Sequence, residues 1–317
     1  MNLLLSLSLA HALTLDEAVA RAAEVDHYAV VAELEWRIAR NEATEAWTHI
    51  GVTPSVTVAR TFAAGTVADT NGVDVNLDLL NVPLWFDAAE QSAHARSLKH
   101  AAEASSLDAQ YAAALLFYTA IAAEANVAAA RQGEKFAQET LDTTQARVAA
   151  GLESELAARS ARLGLLQAQA LTAEAEAQLA IARASLARAL QQEVDTIEAP
   201  TGPIELPQEG GAGSPWIRSA EEEVTAARFE SAQTLAELLP VGSIDADSSL
   251  GALDQWSITV GLTWQLDGLA GPFFRARAAA LNVKREKTEL ELVRMDTDLA
   301  LYTARENARA AGRVAEA

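Results

Sequence analysis

Apolar positions recur at helical spacing over a long stretch of the chain, from about Asp87 to Gln192. In two successive segments the larger apolar residues follow one another mostly three, four or seven positions apart. The first segment contains Leu107, Tyr111, Leu115, Tyr118, Leu141 and Val148, and the second contains Leu156, Leu163, Leu166, Ala170, Leu179, Leu186 and Leu190. A narrow apolar stripe of this length is typical of coiled-coil packing rather than of a helix lying on a globular core. The pattern therefore predicts two long helices packed against each other.

The helical pattern is interrupted between Ala149 and Glu153, where Gly151 stands. Glycine readily adopts the positive φ at which many helices end. We therefore expect an antiparallel helical hairpin with its tip near residue 151. A single bent helix is the alternative, because Gly133 and Gly164 also lie within the helical pattern.

After Pro54 the pattern changes from helical spacing to alternation, which predicts strands. In the first run Ser55, Thr57, Ala59 and Thr61 alternate with Val56, Val58 and Phe62, and Arg60 interrupts the apolar side. In the second run Val73, Val75, Leu77 and Leu79 alternate with Asp74, Asn76 and Asp78. We expect a hairpin of two strands, joined by a loop from Ala63 to Gly72.

A second pair of alternating runs follows Pro240. The first of them is weak, with Ile244 and Ala246 alternating with Asp245 and Asp247. The last run is the strongest, with apolar residues at Trp256, Ile258, Val260, Leu262, Trp264 and Leu266. A strand of about 9 to 11 residues with aromatic ends has the length of a membrane-spanning β-strand. A half-buried strand of a soluble sheet gives the same alternation, so the strands alone leave both possibilities open.

Two parts of the chain repeat one order of elements: helix, proline, strand, loop, strand, long helix. Ala32–Glu35 resembles Ala220–Glu223, and Phe117–Ala120 resembles Leu301–Ala304 at nearly the same displacement along the chain. A Pro- and Gly-rich stretch between the two parts predicts a linker. We therefore expect an internal duplication, with a first repeat at 13–198, a linker at 199–215 and a second repeat at 216–317.

The N-terminus combines an apolar stretch with a predicted helix start. Residues 1–12 end in Ala10-His11-Ala12, which predicts a secretory signal peptide, although an ordinary apolar N-terminus remains the alternative because the stretch contains no Lys or Arg. Thr14 and Glu17 have the spacing of a capping box, which predicts a short helix to about Val25. A longer helix is expected from about Tyr28 to His49.

Composition excludes several classes of function. The chain has 44 acidic and 24 basic residues, a formal net charge of −20, which argues against nucleic acid as a partner. It contains no cysteine, which excludes disulfides and thiolate metal sites. No uninterrupted run of 18 apolar residues occurs, so no transmembrane helix is expected. The histidines show no metal-ligand spacing, and no catalytic motif is present. We expect no enzyme activity and no catalytic, cofactor or metal site.

These features, in this order, resemble the TolC-like outer-membrane efflux protein family. The resemblance rests on Leu13–Val19, on the helix-proline-strand junctions Pro54–Val56 and Leu239–Val241, on the strand-to-helix corners Pro83–Asp87 and Trp264–Gly268, and on Arg147–Leu152, which looks like the family's R-x-x-x-G hairpin turn. It implies a mainly α fold with β: a long antiparallel coiled-coil hairpin and four membrane-spanning strands per chain. Three such chains would share a 12-stranded barrel and a helical tunnel.

The resemblance also implies a function, that of a passive outer-membrane channel subunit in a tripartite efflux or type I secretion system. The implied partners are two further copies, outer-membrane lipid, a periplasmic adaptor protein and an inner-membrane pump, either proton-driven or ABC-type. The adaptor would meet the tip at Arg147, Ala150, Gly151, Leu152 and Glu153. In the family the second repeat also has a returning helix, which this sequence does not contain, so a truncated product or a reduced relative is expected.

The strands by themselves imply an assembly if they enter a membrane. Four strands leave open edges, which cannot exist in lipid, and such barrels need at least eight strands. Two chains would give a barrel filled by side chains, whereas three would leave room for water. The expected lumen residues are Asp74, Asn76, Asp78, Asp245, Asp247, Thr259 and Thr263. The expected membrane-facing residues are Val75, Leu77, Trp256, Ile258, Val260, Leu262 and Trp264.

Two other functions are compatible with a long helical hairpin. One is a periplasmic adaptor protein, which would flank a single hairpin with paired lipoyl-like half-motifs rather than with duplicated strand pairs. The other is a soluble coiled-coil scaffold, which would neither form a channel nor require a membrane.

Overall fold

A computed structural model of the chain describes residues 12–50, 52–63, 66–194, 196–198, 213–249, 256–263 and 270–315. Its elements are α1 (Leu15–Val25), α2 (His27–Thr48), β1 (Val52–Ala63), β2 (Thr66–Leu80), α3 (Val82–Ala149), α4 (Glu155–Leu190), α5 (Pro215–Ala236), β3 (Val241–Ser249), β4 (Trp256–Thr263) and α6 (Ala270–Ala315). The chain divides into two compact units. The first, which we call the hairpin unit, consists of Met1–Val30 and Ser105–Ile204. The second, which we call the sheet unit, consists of Val31–Ala104 and Glu205–Ala317.

The hairpin unit contains α1, α4 and the second part of α3. Phe117 of α3 and Leu186 and Leu190 of α4 are fully buried in one cluster, together with alanines of α1 and α3. Ion pairs join the two long helices at Arg131–Glu176, 2.7 Å, and at Arg183–Glu124, 2.6 Å. The predicted antiparallel hairpin is therefore confirmed.

The residues that pack between the two helices of the hairpin differ from those that the sequence pattern predicted. Leu186, Leu190 and Leu141 are buried as expected, but Tyr111 is 72% exposed. Exposed as well are Leu107, Leu115, Leu156, Leu163 and Leu166. The buried face of α3 instead consists mainly of small residues around Phe117, namely Ala109, Ala113, Ala120, Ala123 and Val127. The predicted seam was wrong in large part, because alanines let the helix backbones approach closely and leave the large side chains on the outer faces.

The ends of α1 and α4 are tied together in the hairpin unit. Gln191 caps α4 in the left-handed conformation with φ 50°, which is uncommon for residues other than glycine. Its side-chain amide donates a hydrogen bond of 2.9 Å to the carbonyl oxygen of Val25 at the end of α1. Leu13 forms a parallel β-bridge with Ile197, through backbone hydrogen bonds of 3.0 Å to Thr196 and from Glu198.

The sheet unit contains α2, the first part of α3, α5, α6 and the four strands. α2 packs on α3 through alanines and through Trp47, whose indole N–H donates to Ser92 Oγ at 2.8 Å and whose ring meets Trp85 edge-on. α5 contacts α6 through polar pairs, including Asn282 with Glu230 at 2.7 Å. The helices that precede and follow each strand pair therefore pack side by side.

The four strands form one antiparallel sheet in the order β1-β2-β3-β4. Both predicted strand pairs are confirmed, and the pairing of β2 with β3 joins them. The predicted loop from Ala63 to Gly72 was too long, because β2 begins at Thr66 and its polar residues pair with β1 as far as Ala63 opposite Thr66. Backbone hydrogen bonds hold this extension, and they do not depend on apolar side chains. Trp264 and Leu266 lie outside the described residues.

Most helix bounds agree with the sequence prediction. α1 has the predicted capping box, in which Thr14 and Glu17 exchange hydrogen bonds, and it ends at Val25. α2 runs over the predicted range within about one residue. α3 begins at Val82 rather than near Asp87, because Pro83 is well tolerated in the first turn of a helix. α5 begins with Pro215 at its first position, where proline is favoured.

Among the described residues, α3 alone is long and apolar enough to cross a membrane by length and composition, with a mean hydropathy of 1.5 over 18 residues. Alanine-rich stretches reach such values without a continuous run of large apolar residues, so the absence of a transmembrane helix stays a prediction. Core helices of soluble proteins meet the same test. α3 contributes Phe117 to the core of the hairpin unit, but only 28% of its most apolar stretch is buried.

Candidate functional site

The sheet has one polar face, which the strand register defines. Residues directly opposite each other in an antiparallel pair lie on the same face. One row across the four strands consists of Ser55, Asp74, Asp247 and Ser257, and the next consists of Thr53, Asn76, Asp245 and Thr259. Thr263 lies on the same face by alternation along β4. The register therefore brings six of the seven predicted lumen residues together.

The seventh predicted lumen residue, Asp78, lies in an irregular segment. The pairing of β2 with β3 shifts between Leu77 and Leu80, so the register does not assign Asp78 to either face. Such a bulge bends the strand and increases its twist.

The opposite face of the sheet is apolar. Its rows are Val52, Leu77, Ile244 and Val260, then Pro54, Val75, Ala246 and Ile258, then Val56, Val73, Ser248 and Trp256. The predicted membrane-facing residues, apart from Trp264, thus lie on one face. Nearer the β1–β2 turn this face carries Arg60 directly opposite Asp69.

Neither face of β4 is covered by the part of the chain that the structure describes. Ile258 is 71%, Val260 75% and Leu262 72% exposed, and Thr259 on the polar face is exposed as well. A strand of a soluble sheet would bury one face against a core. The exposed apolar face of β4 is therefore suited to a non-aqueous environment or to a partner.

The two outer strands of the sheet have free edges within the described residues. β1 pairs only with β2, and β4 pairs only with β3. Each free edge presents backbone N–H and C=O groups that need partners outside the sheet. The single chain therefore contains an open, single-layered sheet with one polar and one apolar face.

The tip of the hairpin is exposed and has a defined geometry. Gly151 has φ 73°, and the N–H of Leu152 donates to the carbonyl of Arg147 while the N–H of Gly151 donates to that of Val148, both at 2.9 Å. These bonds form a Schellman motif. Ser154 then caps α4 by accepting from the N–H of Ala157. The five predicted tip residues are all exposed, and Leu152 is 77% exposed.

An acidic cavity of about 450 Å³ lies between α2 and α3 in the sheet unit. Its polar lining consists of Glu42, Glu45, His49, Asp87, Glu90, Gln91 and His94. Burial, and then the carboxylates of Glu230 and Asp87, raise the pKa of Glu90 from its ordinary value of 4.5 to about 7, while His94 acts in the opposite direction. The sequence did not reveal this cluster, because its members come from two helices, α2 and α3, that are separated by a strand pair along the chain.

The Glu90→Gln variant is expected to be more stable than the original chain at pH 8. The folded state holds a proton on Glu90 that the unfolded state releases near pH 4.5, so the stability that this group contributes falls as pH rises from 4.5 to about 7. Because the side chain is partly exposed, solvent screening reduces the gain to about 1 kcal/mol, or roughly 2–4 °C in Tm. Melting curves between pH 5 and pH 8 measure this effect.

The matched control for Glu90→Gln is Glu174→Gln, which neutralises an exposed carboxylate on α4. We expect the slope of Tm against pH to flatten for Glu90→Gln and to stay unchanged for Glu174→Gln. Equal slopes for Glu90→Gln and the original chain would contradict the assignment of the proton to Glu90.

Among the described residues, no group of three or more His, Asp or Glu side chains has the arrangement of a metal site.

Three solved structures share this fold over most of both chains. The open state of the MtrE outer membrane channel of Neisseria gonorrhoeae has a TM-score of 0.78 and 17% identity, covering 95% of this chain and 75% of that chain. CusC has a TM-score of 0.77 and 16% identity, and the match covers 94% of this chain and 78% of that chain. The outer membrane protein VceC of Vibrio cholerae has a TM-score of 0.77 and 13% identity, and the match covers 96% of this chain and 79% of that chain.

No family model and no curated protein matches the chain. The similarity to the solved structures therefore establishes the fold. It confirms the helical hairpin and the strand pairs that the sequence resemblance implied.

Proposed function

We propose that this chain is a subunit of an outer-membrane channel, in which three copies share one 12-stranded barrel. The observation that carries the proposal is the open four-stranded sheet with one polar and one exposed apolar face. Such a sheet cannot enter lipid alone, because its edge groups would lack hydrogen-bond partners. Further copies satisfy both edges, and three copies leave a water-filled interior.

The apolar face would then contact lipid. Ile258, Val260 and Leu262 are the exposed apolar residues of β4, and Val75 and Leu77 continue the face on β2. Trp256 would lie at one end of the band, where tryptophan is favoured at a membrane interface. The fold is shared with outer membrane channels, which supports an outer-membrane location.

The polar face would line the pore. Asp74 and Asp247 are direct neighbours across two strands, and Asn76 and Asp245 follow in the next row. Like charges directly opposite each other destabilise a sheet unless water or counter-ions screen them. A water-filled lumen provides that screening. We therefore interpret the chain as a passive conduit without enzyme activity or cofactor.

The double variant Asp74→Asn with Asp247→Asn is expected to lower the cation selectivity of the channel. Rings of carboxylates favour cations in a pore, and the proposed trimer places six of these carboxylates in one row. Reversal potentials in planar bilayers under a KCl gradient measure the K⁺ to Cl⁻ permeability ratio. This ratio should fall toward that of free solution.

Asp69→Asn is the matched control for the selectivity experiment, because Asp69 lies on the same strand β2 but on the opposite face. It should leave the permeability ratio unchanged. Absence of any conductance from the original protein would argue against the channel, and an equal effect of Asp69→Asn would argue against the assigned polar lumen.

The helical hairpin would extend into the periplasm, and its tip would dock a periplasmic adaptor that leads to an inner-membrane pump. Support comes from the exposure of Arg147, Leu152 and Glu153 beside the rigid turn at Gly151. A turn fixed by two caps presents the same side chains to a partner without ordering cost. Export in a tripartite or type I system is the function that this arrangement serves.

The chain is further proposed to consist of two repeats, 13–198 and 216–317, joined by the linker 199–215. α5 begins and ends the same number of positions after the beginning and the end of α2, and α6 begins the same number of positions after the beginning of α3. We call this constant distance along the sequence the repeat displacement. It also relates Ala32–Glu35 to Ala220–Glu223. Each repeat places one helix before and one helix after a strand pair. The agreement of helix bounds supports the duplication inferred from the sequence.

A further inference from the structure

The helices α2, α3, α5 and α6 form two pairs in the sheet unit, and the pairs meet where α3 lies against α5. α2 packs on α3, and α5 contacts α6. Between the pairs, the hydroxyl oxygens of Ser97 on α3 and Ser219 on α5 are 3.0 Å apart, and Ser97 is buried. Beside them Arg96 pairs with Glu222 at 3.0 Å. We call this contact the α3–α5 junction.

His94 adds a contact to the junction whose strength depends on pH. Its ring lies 3.2 Å from a carboxylate oxygen of Glu223 on α5, and it also lines the cavity that contains Glu90. Histidine is the residue type that gains its positive charge between about pH 5 and pH 8. Hydrogen bonds between charged partners are roughly twice as strong as those between neutral ones. The contact of His94 with Glu223 therefore strengthens as the pH falls.

Glu90 places a second titrating group at the junction. Its side chain is half-buried on α3 and interacts with Glu230 on α5, which accepts a hydrogen bond of 2.7 Å from Asn282 of α6. Burial, and then the charge of Glu230, raise the pKa of Glu90. The two carboxylates therefore repel each other across the junction when both are ionised. A proton on Glu90 removes this repulsion.

The other charged groups around Glu90 and His94 leave an excess of negative charge. The carboxylates are Glu42 and Glu45 of α2, Asp87 of α3, and Glu222, Glu223 and Glu230 of α5. The basic groups are His49 of α2, Arg96 of α3 and Arg285 of α6, which interacts with Glu230. Arginine keeps its charge over this pH range. Protonation of Glu90 and His94 therefore lowers the negative excess, and both changes favour contact between α3 and α5.

The junction lies near the place where the two strand pairs join. β2 ends at Leu80, just before α3 begins at Val82, and α5 ends at Ala236, a few residues before β3 begins at Val241. The register of β2 with β3 shifts between Leu77 and Leu80. An irregular segment of this kind bends a strand locally. α3 and α5 can therefore change their spacing by pivoting about this segment while the regular part of the sheet stays paired.

We propose that the α3–α5 junction opens and closes with pH: protons on Glu90 and His94 close it, and their loss lets the α5–α6 pair move away from the α2–α3 pair. Both groups act in the same direction. Because the pKa of Glu90 is raised to about 7, the change is expected on either side of neutral pH. The contacts lie within one chain, so the inference goes beyond the proposed channel and does not depend on it.

Distances between spin labels test the proposal, because the chain has no cysteine of its own and labels can be placed at chosen positions. Lys99→Cys on α3 and Arg228→Cys on α5 carry the labels at exposed positions. Double electron–electron resonance on the full chain in detergent, with labelled chains diluted in unlabelled ones, measures distances within one chain. We expect the share of molecules with the longer distance to rise severalfold from pH 5 to pH 8.

Substitutions separate the contributions of the two titrating groups. Glu90→Gln, which resembles the protonated carboxyl group, should keep the junction closed at pH 8. His94→Gln, which cannot gain a charge, should raise the open share at pH 5, and the double variant should give nearly the same distances at both pH values. His49→Gln is the matched control and should respond to pH as the original chain does. His49 lines the same cavity but pairs with Glu45 of its own helix at 3.8 Å.

A reference distance shows whether the helices stay folded. Labels at Arg40→Cys on α2 and Lys99→Cys on α3 lie within one helix pair, so their distance should not change with pH. An unchanged distance between Lys99→Cys and Arg228→Cys at both pH values, with the reference distance preserved, would overturn the proposal. A pH response that survives in the double variant would overturn it as well. Either result would leave the proposed channel standing, whereas a lack of conductance would leave the pH response standing.

Discussion

Replacing Phe117 with alanine is expected to destabilise the hairpin unit by about 3 to 5 kcal/mol, the usual cost of removing a buried aromatic ring. Phe117 is fully buried in the cluster that holds Leu186 and Leu190 of α4 and alanines of α1. Alanine neighbours cannot extend to fill the space that the ring leaves. Hydrogen exchange of α3 and α4 amides measures the effect, and protection should fall more than a hundredfold.

Phe136→Ala is the matched control for Phe117→Ala. Phe136 lies on the same helix but is 70% exposed, so its removal should change the free energy of unfolding by no more than about 0.5 kcal/mol. A similar loss of protection in both variants would contradict the buried seam that the structure defines.

Replacing Ile258 with arginine is expected to prevent insertion of the sheet into the membrane. Ile258 lies in a middle row of the apolar face, and arginine at the lipid-facing midplane of a barrel costs about 2 to 4 kcal/mol. Each copy in the proposed trimer would carry that cost. The measurement is the fraction of protein that folds into lipid vesicles as a heat-modifiable oligomer, which should fall severalfold.

Thr259→Arg is the control for the membrane prediction, because Thr259 is the next residue of β4 and lies on the polar face. An arginine there would project into the water-filled lumen, so insertion should proceed nearly as in the original chain. Insertion of Ile258→Arg together with failure of Thr259→Arg would show that the two faces of the sheet are assigned the wrong way round.

The strands show which part of the fold can be predicted from the alternation of apolar and polar residues. Every second residue from Trp256 to Leu262 is apolar, and the register places these residues on one face. The polar half of β2, from Thr66 to Gly72, could not be found in the same way. Its residues have no apolar alternation, and only backbone pairing with β1 makes them a strand.

The helical hairpin shows a different limit. Gly151 located the turn correctly, since a helix end at positive φ favours glycine. The pattern of large apolar residues predicts that Tyr111 and Leu115 are buried between the helices, but both are exposed. In an alanine-rich helix the small residues mark the close contact. The large residues are left on surfaces that the single chain does not cover.

The candidate sites depended on different kinds of information. Asp74, Asn76, Asp245 and Asp247 could be grouped from alternation within each strand pair, and the register joined the two pairs. The cavity around Glu90 could not be grouped in this way, because Glu42, Asp87 and Glu230 are far apart in sequence. Only the packing of α2, α3 and α5 brings such carboxylates together.

The mass of the assembled protein tests the shared barrel most directly. Native mass spectrometry of the protein extracted from outer membranes in mild detergent should show three copies of the 33.5 kDa chain. Three copies supply twelve strands and leave neither edge of the sheet open. A single copy of the chain in both membrane-extracted and soluble fractions would contradict the account, because its sheet would then exist with both edges unpaired.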